Sequence, residues 1–408
     1  MSFHKRGRRG AILVLAALSM VVLMGFAGLA VDAGLFWATQ RRMQTATDAA
    51  AIAGAIALRF GRDYTGAAKD LSSFNGYTDA SNGVSIAVNN PPLIGRYAAN
   101  QNFLEVTVSK PEPSYFMRVL GTNAMTIKTR AVASWANGKV CVYVLDKTAA
   151  GALNTDNAMT STCGVYVNSS SPTAITAPSP GRLTSPVVGI VGSYTGNITA
   201  TTIKTGVAPA VDPLSYLRRP TVGPCTQTNY TKSSGAWTLN PGVYCGGITL
   251  HGSAAVTLNP GMYILNGGGL TSDGTTSITG IGVTFFNTEA PGLYPYKPIF
   301  TQDSNTLVLV APTSGYYAGI LFFQDPLIAP TTPNFASPNI IAGGSAKLEG
   351  ALYFPTTPLA FSSQSAVAAA YTIMVAKTIT NGVNSLNIYN DYSSLLTGSP
   401  IKVTVLYE

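Results

Sequence analysis

Charge is scarce in this chain: Asp, Glu, Lys and Arg together make up only 10% of its 408 residues. Histidine is nearly absent, with only His4 and His251, and there are four cysteines and three tryptophans. So little charge argues against nucleic acid as a partner, because a nucleic-acid groove needs a Lys/Arg stripe interleaved with aromatics. The net charge of +8 does not contradict this, because it is local. Residues 1–62 hold eight basic side chains (Lys5, Arg6, Arg8, Arg9, Arg41, Arg42, Arg59 and Arg62) against Asp32 and Asp48. From totals of 25 and 17, positions 63–408 keep 17 basic and 15 acidic residues, a net of +2.

The same scarcity removes the familiar catalytic patterns. His251 is followed by Gly252-Ser253 and reads as a surface turn residue with no partnered carboxylate in view. No HExxH, GxSxG, Walker or EF-hand pattern occurs. Between Asp212 and Glu289 the only acid is Asp273, too few for a polysaccharide-cleaving site, and Gly267-Gly268-Gly269 before it lacks the acid periodicity of calcium-binding repeats. The reading is of a protein that is not an enzyme and has no cofactor and no metal site.

What is abundant is apolar (46%), with Gly (41) and Tyr (20) prominent, a composition that fits a β-rich, turn-rich fold with an uncharged polar surface. From Gly10 to Val31 run 22 residues without a formal charge. As a helix they span roughly 33 Å, the thickness of a bilayer's hydrocarbon core. The run is too long for a cleavable signal and ends without a small-x-small site. Lys5, Arg6, Arg8 and Arg9 precede it, so the positive-inside rule keeps residues 1–9 in the cytoplasm and sends the rest across. Residues 33–58 contain no Pro, and Leu35, Met43, Ala46, Ala50, Ala53 and Ala57 fall near one face. One helix over 10–58 is predicted, half in lipid and half projecting outward, with a seam of small residues for close packing. Asp32 marks the exit from lipid or pairs with a partner's cation; Asp48 reads as a solvated helix position.

Arg9-Gly10, the apolar run, Ala30-Val31-Asp32-x-Gly34 and Gln44-x-Ala46-x-Asp48-Ala49-Ala50-Ala51-x-Ala53-Gly54-Ala55 resemble the N-terminal segment of TadE/TadG-like proteins of the bacterial Tad (Flp) pilus-assembly system. The resemblance implies a single-pass inner-membrane, minor pilin-like component. Gly10, Asp32, Gly34, Asp48 and Gly54 would serve in motif and helix packing, with other pilus-machine membrane proteins as partners. The chain departs from a processed prepilin at position 15, which is Leu rather than Glu. It also lacks the Asp-x-Ser-x-Ser metal site that some TadG-like proteins carry, since Asp146 is followed by Lys147-Thr148-Ala149-Ala150.

Residues 59–136 read as a small α+β module similar to pilin-like ectodomains. A helix is expected over 64–74, strands over 84–88, 103–108 and 125–135, and a short helix over 114–120, with Asn89-Asn90-Pro91-Pro92 as a loop. Residues 137–408 carry an internal repeat: Thr238-Leu239-Asn240-Pro241-Gly242-Val243-Tyr244 recurs as Thr257-Leu258-Asn259-Pro260-Gly261-Met262-Tyr263. Asn-Pro-Gly suits a type II turn, with Pro fixing φ and Gly accepting positive φ. Gly319-Ile320-Leu321-Phe322-Phe323 and Gly350-Ala351-Leu352-Tyr353-Phe354 echo each other further on. Units that cannot bury their own apolar face predict a mainly-β solenoid, an irregular β-helix; a β-sandwich is the competing reading. Cys141, Cys163, Cys225 and Cys245 suggest two disulfides, for which three pairings exist; neighbour pairing would close loops of about 20 residues.

The function expected is a membrane-anchored, non-catalytic component of Tad/Flp pilus assembly, acting as an extracytoplasmic scaffold, anchor or minor pilin-like subunit. The alternative is a membrane-tethered adhesin or glycan-binding β-solenoid that contacts a surface protein or glycan.

Overall fold

The computed structural model describes residues 8–59, 62–137, 139–302, 305–342, 345–362, 369–396 and 398–406. The chain divides into two compact units, Met1–Ala136 with Val403–Glu408, and Asn137–Lys402.

In the first unit, helix α1 (Arg8–Arg59) runs 52 residues, about 78 Å at 1.5 Å per residue. Its Ala-rich sequence holds no Pro to break the backbone ladder. Helix α2 (Tyr64–Phe74) starts where the Asp63 carboxylate accepts from Gly66 N–H at 2.9 Å. Strands β1 (Ser85–Asn89), β2 (Phe103–Pro113) and β3 (Ala124–Asn137) pair antiparallel, with Val88 opposite Val106 and Val106 opposite Ala131. The second half of α1 lies on this sheet, burying Met43, Ala50, Ala51 and Ala55 with Leu104, Val106 and Val108. Between β2 and β3 the expected helix is only a 3-10 turn, Met117–Leu120.

The sheet has a fourth strand that corrects the sequence reading. Lys402–Leu406, expected at the end of the C-terminal region, joins the edge of β3. Its Val403-Thr404-Val405 alternation suits a sheet position, and pairing there covers an otherwise open edge. The second unit is therefore an insertion between β3 and its last neighbour.

Among the described residues that unit holds 25 strands joined side by side, and consecutive turns of chain pair parallel. Parallel pairing is incompatible with hairpins that merely share a turn, because hairpin strands pair antiparallel. The Asn-Pro-Gly repeats lie in adjacent layers, with Thr238 opposite Thr257 and Leu239 opposite Leu258. The second echo also pairs, Ile320 with Ala351 and Phe323 with Tyr353.

One ladder reveals the order of layers. It runs from Gln227–Lys232 through Gly242–Leu250, Gly261–Asn266, Val283–Thr288, Ile320–Gln324, Ser345–Phe354 and Thr372–Ala376. It then continues into Val140–Val144, Gly164–Val167, Arg182–Ile190 and Ile198–Thr205. The chain thus enters the stack in its middle, builds to one end, returns by residues 206–226 to the other end, and builds back to where it began. A row of rings, stacked or tilted, fills part of the interior: Tyr244, Tyr263, Phe285, Phe322 and Phe354 follow one another with centroids 5.9, 5.5, 5.2 and 6.1 Å apart. Each such pair contributes about 0.5–1.5 kcal/mol beyond its burial.

Candidate functional site

The features that carry chemistry fall into three groups, each within one unit. The first is the capped loop on α1. Val14 to Phe26 leave their large apolar side chains exposed, whereas Gly28 and Asp32 are buried. Asp32 accepts backbone hydrogen bonds from Tyr115 (3.1 Å), Phe116 (2.9 Å) and Met117 (2.8 Å). These N–H groups open the 3-10 turn and have no partner within it, so a carboxylate there acts as its cap. One helical turn earlier, a Cβ on Gly28 would sit 2.6 Å from the Phe116 ring. The acid read from sequence as a lipid-exit marker or a partner's counter-ion is therefore saturated inside its own unit.

The other motif residues divide. Gly54 is a close-approach glycine, since a Cβ would meet Leu104 Cδ2 at 2.5 Å. Gly34 has nothing within 4 Å of that position. Asp48 accepts from Gln44 Nε2 at 2.7 Å, and the same nitrogen donates to the Arg130 carbonyl at 3.0 Å, so Asp48 is half-buried rather than a freely solvated position. Met43, Ala46, Ala50 and Ala57 of the small-residue seam are buried in the unit itself. Gly10, Arg8 and Arg9 belong to α1; Lys5 and Arg6 lie outside the described residues.

The second group ties the return segment to the stack. Asn168 Nδ2 donates to Ala210 O, and Ala210 N–H donates to Asn168 Oδ1, both at 2.8 Å. Tyr353 donates to Asp212 at 2.6 Å. Tyr317 donates to Arg218 O at 2.8 Å, and Arg219 meets the buried Asp325 carboxylate at 2.6 Å. Asp325 also accepts from Thr288 at 2.6 Å, so the carboxylate is compensated as burial requires. The segment ends at the Cys225–Cys245 disulfide; the other bond is Cys141–Cys163, with Cα atoms 5.6 and 5.8 Å apart respectively. Both join adjacent layers, which selects the neighbour pairing.

The third group is the repeat turns. Asn259 Nδ2 donates to Asn240 Oδ1 at 2.7 Å, and Tyr244 and Tyr263 donate to the carbonyls of Asn240 and Asn259 at 2.7 and 2.8 Å. Gly261 has φ +141°, and a Cβ there would strike Pro241 at 2.4 Å. Gly242 corrects the type II expectation, because its φ is outside the left-handed region. It must be small for another reason: a Cβ would lie 2.7 Å from Thr226 Oγ1, which accepts from Val243 N–H at 3.0 Å.

His251 also differs from expectation. Its Nδ1 lies 2.8 Å from Asp273 Oδ2. Leu250 pairs with Ser272, so the next residue of each layer falls in register, 22 positions apart. Both side chains are partly exposed. Among the described residues, no group of three or more His, Cys, Asp or Glu is placed to hold a metal ion. Sequence reasoning missed Phe116, Asp212, Arg219 and Asp325. Only Phe116 had a local signal, an apolar cluster from Tyr115 to Leu120 where a connecting loop is ordinarily polar.

These features define a protein with one N-terminal helix long and apolar enough to cross a membrane, continuous with a small α+β unit that carries a large parallel-β insertion. Residues 10–57 match the family described as "Putative Flp pilus-assembly TadE/G-like". The match covers 48 of the 408 residues, all in α1, and leaves the parallel unit outside it. Neither a curated protein nor a solved structure matches the chain.

Proposed function

We propose that the protein is a membrane-anchored, non-catalytic component of Flp pilus assembly. Residues 10–31 cross the inner membrane with the N-terminus held in the cytoplasm by Lys5, Arg6, Arg8 and Arg9. The first unit is a pilin-like base, and the second is an irregular β-helix that serves as an extracytoplasmic scaffold or contact surface. The observation that carries this reading is the division of α1, the segment matched by the family. One face of its second half, from Met43 to Ala57, is buried against its own unit, while Val14 to Phe26 stay uncovered and free to meet lipid and the helices of other pilus-machine proteins.

The rival reading, a tethered glycan-binding adhesin, would use exposed aromatic faces. Trp237 is exposed, but Lys232 Nζ lies 3.6 Å over its ring, so that face is taken.

The test is affinity recovery from detergent-solubilised membranes, with residues 10–27 replaced by an unrelated apolar helix and Gly28 and Asp32 kept. Recovery of pilus-assembly membrane proteins with the native helix and their loss with the replacement support the proposal. Native protein that solubilises without any of them overturns it and favours the adhesin.

A further inference from the structure

The apolar groove beside the loop between β2 and β3 has no function in the reading above. Val22, Met24, Phe26 and Leu29 of α1 form one wall, Phe116 and Val119 the other, around about 460 Å³. The loop is closed on itself, with Ser114 N–H donating to Asn123 O at 3.1 Å and Gly121 at φ +91° ending the turn. Its tip is nevertheless apolar and uncovered: Tyr115 is 66% exposed, Phe116 50% and Val119 87%. A closed loop that turns large apolar groups outward is unusual in water, and its position gives the reason. Asp32 and Gly28 fix it along the last turn of the uncharged run. Gly28 lies four residues before Asp32, about 6 Å further along the axis toward the apolar centre. That is the depth at which interfacial segments bury their apolar face, about 5–10 Å.

We propose that the loop Ser114–Gly121 is a second membrane contact, inserted beside α1 into the leaflet on the side of the folded units, with lipid acyl chains filling the groove. This inference rests on the reading of α1 as a membrane anchor. Lipid is the occupant because the groove is continuous with the lipid-facing surface of α1, sharing Val22, Met24 and Phe26 with it. Arg118, exposed on the same turn, extends its charged end to the headgroups while its stem stays with the loop. Two points of attachment, a spanning helix and a wedge locked to it by Asp32, fix the tilt of the first unit against the bilayer.

The described cysteines are all in disulfides, so a single added cysteine gives one clean labelling site. Nitroxide labels on Val119→Cys, Leu18→Cys and Phe74→Cys are compared in the full chain, reconstituted in phosphatidylethanolamine–phosphatidylglycerol vesicles. Relaxation by oxygen, which partitions into lipid, is measured against relaxation by a water-soluble nickel chelate. The expected result is an oxygen-to-nickel ratio at Val119→Cys close to that at Leu18→Cys and several-fold above that at Phe74→Cys. A lipid-like Leu18→Cys with a water-like Val119→Cys overturns the wedge and leaves the anchor standing. Water-like ratios at both overturn anchor and wedge together. A Val119→Cys label shielded from both reagents places protein in the groove and overturns lipid as its occupant. Tyr115→Cys is the second site should the Val119 variant not fold, with the same outcomes.

Discussion

The Tyr353 hydroxyl donates a 2.6 Å hydrogen bond to the Asp212 carboxylate across 141 residues of chain. Asp212 sits in the first third of the return segment and Tyr353 in a central layer, so this bond holds a long irregular connection against the stack. Burial pushes the Asp212 carboxyl above its ordinary range, opposed by hydrogen bonds from Tyr353, Leu214 and Ser215. A carboxyl whose folded pKa is raised loses stabilisation as pH rises from its unfolded value through its folded one. Asp212→Asn keeps an acceptor for Tyr353 without the charge. Its melting temperature relative to the native chain should therefore rise between acidic and neutral pH, as thermal unfolding at several pH values will show. A difference independent of pH would contradict the assignment.

Tyr353→Phe removes the donor and leaves the partly buried carboxylate short of one partner. The expected cost is about 1–3 kcal/mol at neutral pH, read from denaturant unfolding. Combined with Asp212→Asn the loss should be smaller than the sum of the two single effects, because the residues share one interaction.

Cys225→Ser with Cys245→Ser frees the far end of the return segment. Closing a loop of about 20 residues contributes about 3 kcal/mol in the chain-entropy account, and stability should fall by that order. Limited proteolysis followed by mass spectrometry should place the first new cuts in the part of residues 206–226 nearest Cys225, beyond Leu214 and Leu217, whose buried side chains keep the rest of the segment in the core. Cuts elsewhere would show that the segment is held independently of the bond.

Asp32→Ala leaves the N–H groups of Tyr115, Phe116 and Met117 without their acceptor. Hydrogen exchange at these three amides should accelerate while the β2–β3 ladder stays protected. Unchanged exchange would remove Asp32 as the cap.

Two glycines of the same helix should respond with opposite signs. Gly54→Ala pushes a methyl into Leu104 and should cost about 1–3 kcal/mol through overpacking. Gly34→Ala meets open space and should gain up to about 1 kcal/mol of helix propensity. Thermal unfolding of the two variants side by side checks both.

Several elements were legible in the sequence because their signals are local. The length of the uncharged run and the absence of Pro pointed to α1, and period-two alternation to β1 and β2. The Asn-Pro-Gly repeat was legible as a stacking unit, since the same turn sequence recurs nineteen residues on and the two copies stack through Asn240 and Asn259. The motif positions at Asp32 and Gly54 could be picked out but not interpreted. A boundary carboxylate looks the same in sequence whether it faces a partner's cation or caps a turn more than eighty residues away.

What the sequence by itself determined was the kind of each element: a helix able to cross a membrane, short strands, and turns that repeat. What only the tertiary structure decided was which of them meet. The entry of the chain into the middle of its own stack, the return of Lys402–Leu406 to β3, and the contacts of Asp212 with Tyr353 and His251 with Asp273 all join distant segments. Parallel layers of unequal length leave no fixed period from which such partners can be counted. The pairing is selected by side-chain fit and hydrogen-bond satisfaction across the whole stack, which exist only once the layers are assembled.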